Sequence, residues 1–374
     1  MAGLYVHIPF CRQKCHYCNF YSLATQKYHD QIIDAIIREL EIRKDYLSGE
    51  NLNTIYFGGG TPSLFHPQIF NSIIEQAHQV FGLNANAEIT VEANPDDINV
   101  SWLQALQRTS VNRLSIGVQS FVDNDLLYLN RKHSAAKAES SIKLAQDHGF
   151  DNLSIDLIYG SPNLSDEVWQ ENILKSLKLG VPHISAYALT VELGTALDHF
   201  IRKGKYKPMD DAKASHHFNI LVEALEKNGF EHYEISNFSL PGMNSKHNTS
   251  YWFGEQYIGV GPSAHSYDGG SRQWNVSNLK SYIVAIENSQ IDFEKEVLSP
   301  DQKYNEYVMT SLRTIWGIDL EKVKNDFGEK FHTHLLIEAK PFMESHQIEL
   351  LHNKMILTNK GKFFADGLAA GLFV

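Results

Sequence analysis

All three cysteines of the chain, Cys11, Cys15 and Cys18, stand in one short loop with C-x3-C-x2-C spacing. A disulfide framework needs paired cysteines spread along the chain, and a lone nucleophilic thiol needs no thiol neighbours. Three thiolates this close together read as metal ligands. Two metals fit the donor count. Zinc would be completed by His16, which lies between the second and third cysteines where its reach is cramped. A [4Fe-4S] cluster would be held on three corners, leaving one iron open to a small molecule, and the spacing favours this second reading.

Further chemistry-bearing residues recur after the cysteine loop. Gly58-Gly59-Gly60-Thr61-Pro62 follows an apolar run. Consecutive glycines either make a tight turn or let the backbone approach a ligand without Cβ interference. Glu92 in Val91-Glu92-Ala93-Asn94-Pro95 and Gln119 in Gly117-Val118-Gln119-Ser120-Phe121 close two more such runs, and Arg131 follows in Leu129-Asn130-Arg131. Each could be a surface group or a capped turn. Asp156 fits that reading poorly, because it sits inside the apolar run Ser154–Ile158 and a charge there needs a partner. Arg131 has the forked geometry that suits a carboxylate. Polar groups at the C-terminal ends of parallel strands meet at the mouth of a barrel.

The elements that must position these groups alternate. Short runs rich in Ile, Leu and Val at 4–8, 54–57, 87–92, 112–118, 153–158 and 183–188 read as strands. Helical patterns fall between them at 28–47, 67–81, 100–107, in segments reaching about 148, and at 165–179, where Ser165 and Val168 fit a cap and first turn. Repeated βα units predict an α/β fold with a parallel sheet and right-handed crossovers. The alternation fades after about residue 190, so a partial (βα)6 TIM-like barrel, open on one side, is expected rather than a closed eight-stranded one. A helix at 210–228 capped by Gly229, a helix at 278–288, and strands or loops at 230–238, 251–260 and 266–275 complete a main domain over 1–295. Ser299-Pro300-Asp301 opens a small C-terminal domain, 299–374, of three or four helices and a hairpin near 348–357 turned by His352-Asn353-Lys354. That outline is winged-helix-like. Its charges nearly balance, which predicts a packing or lid role rather than DNA binding.

A formal net charge of -11 argues against general nucleic-acid binding. No apolar run approaches the roughly 20 residues that span a bilayer, and the N-terminal residues lack the pattern of a signal peptide. Unpaired cysteines fit a reducing, cytoplasmic setting.

Taken together, Tyr5-x-His7-Ile8-Pro9-Phe10-Cys11, the glycine run, Val91-Glu92, Gly117-Val118-Gln119-Ser120-Phe121 and Asp156-Leu157-Ile158-Tyr159-Gly160 resemble the oxygen-independent coproporphyrinogen III oxidase (HemN-like) branch of the radical S-adenosylmethionine (SAM) proteins, over nearly the whole chain. The resemblance implies a [4Fe-4S] cluster on Cys11, Cys15 and Cys18 whose open iron takes SAM. It implies that Tyr5, Gly59 and Glu92 contact that SAM. It places Tyr17, Gly60, Thr61, Gln119, Arg131, Asp156 and Ala188 around a second SAM-like site. Two departures separate the chain from the oxidase itself. Phe20 stands where the oxidase has a fourth cysteine, and the given chain starts close before Cys11, where the oxidase has an extension. Both features match a sister group of heme chaperones, the HemW group. His247-Asn248-Thr249-Ser250-Tyr251-Trp252 has the H-N-x-x-Y-W form associated with that group. A histidine or tyrosine can ligate heme iron and a tryptophan can lie on a porphyrin face, so His247, Tyr251 and Trp252 become heme candidates, with a polar turn holding buried aromatics as the plainer account. The function expected is heme binding and delivery to acceptor apoproteins. The alternative is oxidative decarboxylation of coproporphyrinogen III. A homodimer is implied by the resemblance alone.

Overall fold

The structure, a computed structural model, describes residues 2–374. Strands β1 (Ala2–Ile8), β2 (Leu52–Gly59), β3 (Leu83–Ala93), β4 (Arg113–Gln119), β5 (Leu153–Tyr159) and β6 (His183–Ala188) lie side by side in chain order. Each pairs with the next in parallel. The intervening helices are α1 (His29–Ile42), α2 (Gln68–Phe81), α3 (Val100–Leu106), α4 (Asp123–Tyr128), α5 (Ala135–Asp147) and α6 (Asp166–Lys178). Helical spacing puts Ile32, Ile36 and Leu40 of α1, and Phe70, Ile73 and Ala77 of α2, on buried stripes against the sheet. Asn99, Ser134 and Ser165 each start a helix by accepting the backbone N–H three residues on. This is the α/β fold with a parallel sheet expected above.

The irregular stretch after residue 190 extends the same sheet at both edges. β8 (Asn237–Ser239) adds antiparallel to β6, and β7 (Glu231–Glu234) adds outside it. On the other edge, β9 (Gln256–Val260) runs parallel to β1, with Leu4 opposite Ile258. β10 (His265–Tyr267), β11 (Ser271–Asn275) and β12 (Phe293–Val297) continue outward antiparallel. β1 is therefore a central strand. The sheet has 12 strands, and its ends, β12 and β7, do not pair with each other. The barrel is thus open, as the fading alternation implied. The expected strand at 251–260 begins only at Gln256. Before it, Lys246–Trp252 is a helix whose start is capped by Ser245 and which Gly254, at φ 67°, brings to an end. No helix among the described residues is long and apolar enough to cross a membrane.

Past the capping box at Ser299 and Gln302, a second cluster of buried residues forms around Tyr304, Val308, Leu335, Met355 and Leu368. Helices Pro300–Leu312 and Glu329–Glu344 pack on a small antiparallel sheet of β13 (Ile318–Asp319), β14 (Ile348–Leu351) and β15 (Lys354–Leu357). His352 and Asn353, both at positive φ, make the hairpin turn, and Lys354 already pairs with Leu351. This region is tied to the main sheet at β7. Arg313 reaches Glu234 at 3.1 Å and also bonds Asp366, while the Ile315 N–H donates to the Tyr233 carbonyl at 3.1 Å.

One buried carboxylate locks the added strands to the first βα unit. Glu39 of α1, wholly buried, accepts from Arg43 (3.2 Å), Asn275 (2.7 Å), Tyr282 (2.6 Å) and the Gly261 N–H (2.9 Å). Removing it leaves a buried arginine and several donors unmatched. Glu39→Ala is expected to lower unfolding stability by about 3–5 kcal/mol, and Glu39→Gln by less, measured by chemical denaturation.

Candidate cluster and cofactor site

In four of the inner strands, one position of an otherwise buried run is only half-buried. It is Tyr5 in β1, Gly117 in β4 and Asp156 in β5, and Glu92 holds the same place near the end of β3. These positions mark the lumen of the open barrel. The Tyr56 hydroxyl donates to Glu92 at 2.9 Å, and the Tyr5 ring stacks on the Tyr56 ring at 6.2 Å. A Cβ on Gly58 would come within 3.0 Å of Glu92 and 3.1 Å of Tyr5, so this glycine keeps the lumen clear.

The cysteine loop leaves β1 beside this cluster, and two glycine turns clear its path. A Cβ on Gly60 would lie 2.5 Å from the Phe10 carbonyl oxygen, and one on Gly261, just after β9, would lie 2.4 Å from the His7 carbonyl oxygen. Gly59 is at φ 103° and has the His7 ring where a side chain would go. The glycine run therefore gives its space first to the backbone that launches the loop. The loop's flanks are anchored too. Arg12 bonds Asp97 through Nε (2.9 Å) and Nη2 (2.7 Å), Gln13 bonds the Asn130 Oδ1 at 2.7 Å, and Asn130 returns a bond to the Lys14 carbonyl at 2.9 Å.

Two of the three thiols are joined by a chain of side chains. Thr61 donates to the Cys11 sulfur at 3.5 Å and accepts from Asn94 at 3.2 Å. Asn94 accepts from Arg131 at 2.7 Å, and Arg131 also donates to the Gly117 carbonyl at 2.7 Å and to the Cys15 sulfur at 3.5 Å. A Cβ on Gly117 would crowd both Gln119 (3.1 Å) and Arg131 (3.2 Å). Gln119 itself stands at φ 66° where the β4–β5 register shifts, a left-handed backbone that a non-glycine residue adopts only when its surroundings impose it. Burial pushes the Cys11 and Cys18 thiols up from their ordinary values. Both stay protonated at neutral pH until a metal displaces the proton.

His16 is held away from such a task. Its Nδ1 lies 3.0 Å from the Tyr128 carbonyl, its ring packs edge-on against Phe200 at 5.0 Å, and its own carbonyl accepts from Leu197 at 2.8 Å. Among the described residues, no three His, Cys, Asp or Glu side chains already stand together as a metal cage. The donor chemistry nonetheless fits a thiolate-bound cluster: two sulfurs already accept bonds from neutral or cationic donors, which stabilise thiolate charge.

The remaining expected residues divide. Asp156 has Ser115 at 3.5 Å, and Arg113 and Arg131 act on it from either side. Tyr17 packs with Tyr128, Leu189 and Leu197 over the loop, within electrostatic reach of Arg131 and Cys15. Ala188 ends β6 opposite Tyr159. His247 is 1% exposed and lies against the lumen cluster, stacked on Tyr56 at 5.0 Å. Both its ring nitrogens are engaged, Nδ1 with Thr54 (2.7 Å) and Nε2 with the Tyr251 hydroxyl (2.7 Å). Burial pushes the imidazole down to about 3. As an iron ligand it would have to give up one of those bonds. Trp252 turns away from the lumen and lies under the Arg313 guanidinium at 5.5 Å. The residues that sequence reasoning passed over are Asn94, Tyr56 and Gly261. The first lay inside a quoted motif. The signal for Gly261 was the alternation Gly259-Val260-Gly261-Pro262.

Burial and the facing Asp156 push Glu92 up to about 7, and burial pushes Asp156 up to about 6. Two carboxylates in one lumen resist ionising together.

The sequence signature of the Radical SAM superfamily matches residues 5–174. A protein of Mycobacterium tuberculosis (strain ATCC 25618 / H37Rv) named Heme chaperone HemW is 31% identical over 99% of this chain and 94% of its own length. The chain is a radical SAM protein of the HemW family. Proteins of the same name from Lactococcus lactis subsp. lactis and Bacillus subtilis are 34% and 32% identical, over 96% and 98% of this chain and 93% and 97% of their own lengths. Among solved structures, the coproporphyrinogen III oxidase HemN of Escherichia coli superposes with a TM-score of 0.85 at 23% identity, over 100% of this chain and 90% of its own, a likeness of fold. Membership in the radical SAM proteins implies a [4Fe-4S] cluster and SAM.

Two outcomes follow for the site. Gly60→Ala must displace the Phe10 backbone, so after anaerobic reconstitution it is expected to lose most of its bound iron and its visible absorbance while keeping its far-ultraviolet circular dichroism. The second outcome is set by protons. The folded chain holds protons on Glu92 and Asp156 up to about pH 7 and about pH 6, whereas the unfolded chain releases them near the ordinary values of 4.5 and 3.8. The folded state binds more protons in that window, so this contribution to stability is lost as pH rises through it. Glu92→Gln is expected to stabilise the metal-free protein at pH 8 by about 1–3 kcal/mol, at roughly 1.4 kcal/mol per pH unit less some solvent contact, with the gain vanishing towards pH 4 in denaturation series.

Proposed function

We propose that this chain binds heme and hands it to acceptor apoproteins, and that it carries a SAM-binding [4Fe-4S] cluster on Cys11, Cys15 and Cys18. The observation that carries the reading is the match, over nearly the full length of both chains, to proteins named as heme chaperones. Phe20, 63% exposed where the resembling oxidase has a fourth cysteine, separates the chain from decarboxylase chemistry.

Within this reading, Cys11, Cys15 and Cys18 would hold the cluster, which would supply a binding point for SAM and a source of single electrons. The chain's own residues do the rest. Thr61 and Arg131 donate to the Cys11 and Cys15 sulfurs and hold the two sides of the loop in register. Glu92, kept accessible by Gly58, would accept from an amino N–H of SAM, with the Tyr56 hydroxyl bonding its carboxylate at 2.9 Å and the Tyr5 ring stacked on Tyr56. Gln119, Asp156, Tyr17 and Ala188, together with Gly59 and Gly60, border the space beside Arg131 and take the rest of the ligand or a second SAM. The helix that carries His247, Tyr251 and Trp252 is the heme-facing element, met at its Tyr251–Trp252 end. Residues 1–295 act as the cofactor-holding barrel and 299–374 as a smaller domain packed on it. The acceptors are heme-requiring apoproteins in the cytoplasm, and two copies of the chain associate when the cluster is intact.

Heme titration of anaerobically reconstituted protein tests the reading. A saturable shift of the Soret band at one heme per chain is expected. Conversion of coproporphyrinogen III to protoporphyrinogen with SAM and reductant would replace the carrier by the oxidase.

A further inference from the structure

We propose that heme docks outside the barrel, in the cleft between the end of helix Lys246–Trp252 and helix Pro300–Leu312, with Lys303 meeting a propionate; this rests on the heme-carrier reading and names where that site is. The cleft holds about 680 Å³, within the range of about 300–1,000 Å³ typical of small-molecule sites. Its walls are aromatic. Trp252 and Phe253 face it from the barrel side and Tyr307 and Phe327 from the C-terminal side, with Tyr257 and Tyr267 between them. Phe253 is 53% and Met309 42% exposed at its rim, apolar surface that water covers unless a flat ligand does.

The charged groups of the cleft are of both signs: Glu255, whose proton affinity burial raises, lines it, and most of its cations are paired. Arg272 is paired with Glu306 at 3.0 Å, Lys322 with Asp326 at 2.6 Å, and Arg313 with Glu234 at 3.1 Å. Lys303, half-buried in the same wall, has no acid within 4.0 Å among the described residues. The Trp252 indole N–H is also buried without a hydrogen-bond acceptor. A buried donor and a cation without a counterion, set among flat apolar side chains, call for a ligand with an aromatic face and an anionic edge. A carboxylated tetrapyrrole has both.

The lumen is a poorer place for that ligand. His247 is fixed on both nitrogens and stacked within the lumen cluster, whereas the last two residues of the same motif, Tyr251 and Trp252, line the cleft. The motif helix thus stands with its histidine towards the barrel and its tryptophan towards the cleft.

The test uses the full, reconstituted chain, titrated with heme and with heme dimethyl ester, which keeps the ring and lacks the free carboxylates. Lys303→Ala is expected to weaken heme binding about tenfold, the scale of a hydrogen bond to a charged group, and to leave the ester within about twofold. Phe253→Glu, a change at an exposed rim position that the fold tolerates, is expected to weaken both ligands. If the unaltered chain binds heme and both variants bind heme as it does, the cleft assignment is overturned while the carrier reading stands. Equal loss of heme and ester in Lys303→Ala would overturn the propionate contact. Failure of the unaltered chain to bind heme removes both.

Discussion

The site depends on a close approach of three backbones. β1 lies in the middle of the sheet with parallel partners on both sides, so its C-terminal end can leave only through a slot between the turns that follow β2 and β9. Gly60 and Gly261 make that slot, since a Cβ at either would meet a carbonyl oxygen at 2.5 Å or 2.4 Å. Interiors as dense as these do not open to admit a methyl group without cost. The cysteine loop therefore takes its direction from two glycines that are far apart in sequence.

Direction alone does not hold three flexible side chains, and a polar chain does the second part of the work. Arg131 spans from the Cys15 sulfur to Gly117 and Asn94, and Thr61 carries the contact on to the Cys11 sulfur. The links come from the C-terminal ends of β2, β3 and β4 or the segments that follow them, the end at which open and closed α/β barrels collect their chemistry. The carboxylates Glu92 and Asp156 sit in the same lumen with raised proton affinity. With both carboxylates ionised the lumen is thus less stable at high pH than an uncharged one.

The helix Lys246–Trp252 joins this lumen to the cleft against the C-terminal domain. Through Tyr251 and His247 it touches Tyr56, which in turn bonds Glu92. Through Trp252 it lies beneath Arg313, which anchors the C-terminal region on β7 by way of Glu234. One short element therefore contacts the barrel lumen and the C-terminal region alike.

Local chemistry in the sequence determined the cysteine triad, the six βα repeats, the caps at Ser165 and Ser299, and the lumen positions of Glu92 and Asp156, because each is a matter of spacing or of periodicity along one segment. The strand at 293–297 was obscure for the opposite reason: Phe293-Glu294-Lys295-Glu296-Val297 is exposed along its length and is held by pairing with β11. β9 lay in a stretch read only as strand or loop, because Gly259 weakens the signal of Tyr257, Ile258 and Val260, and its place beside β1, some 250 residues away in sequence, makes it a strand. Tertiary structure alone decided that His247 faces inward with both nitrogens bonded, that Asn94 bridges Thr61 to Arg131, and that the glycine run serves the loop's own backbone. These are contacts between segments brought together by the sheet, and no spacing within a single segment encodes which way a side chain turns once its neighbours arrive.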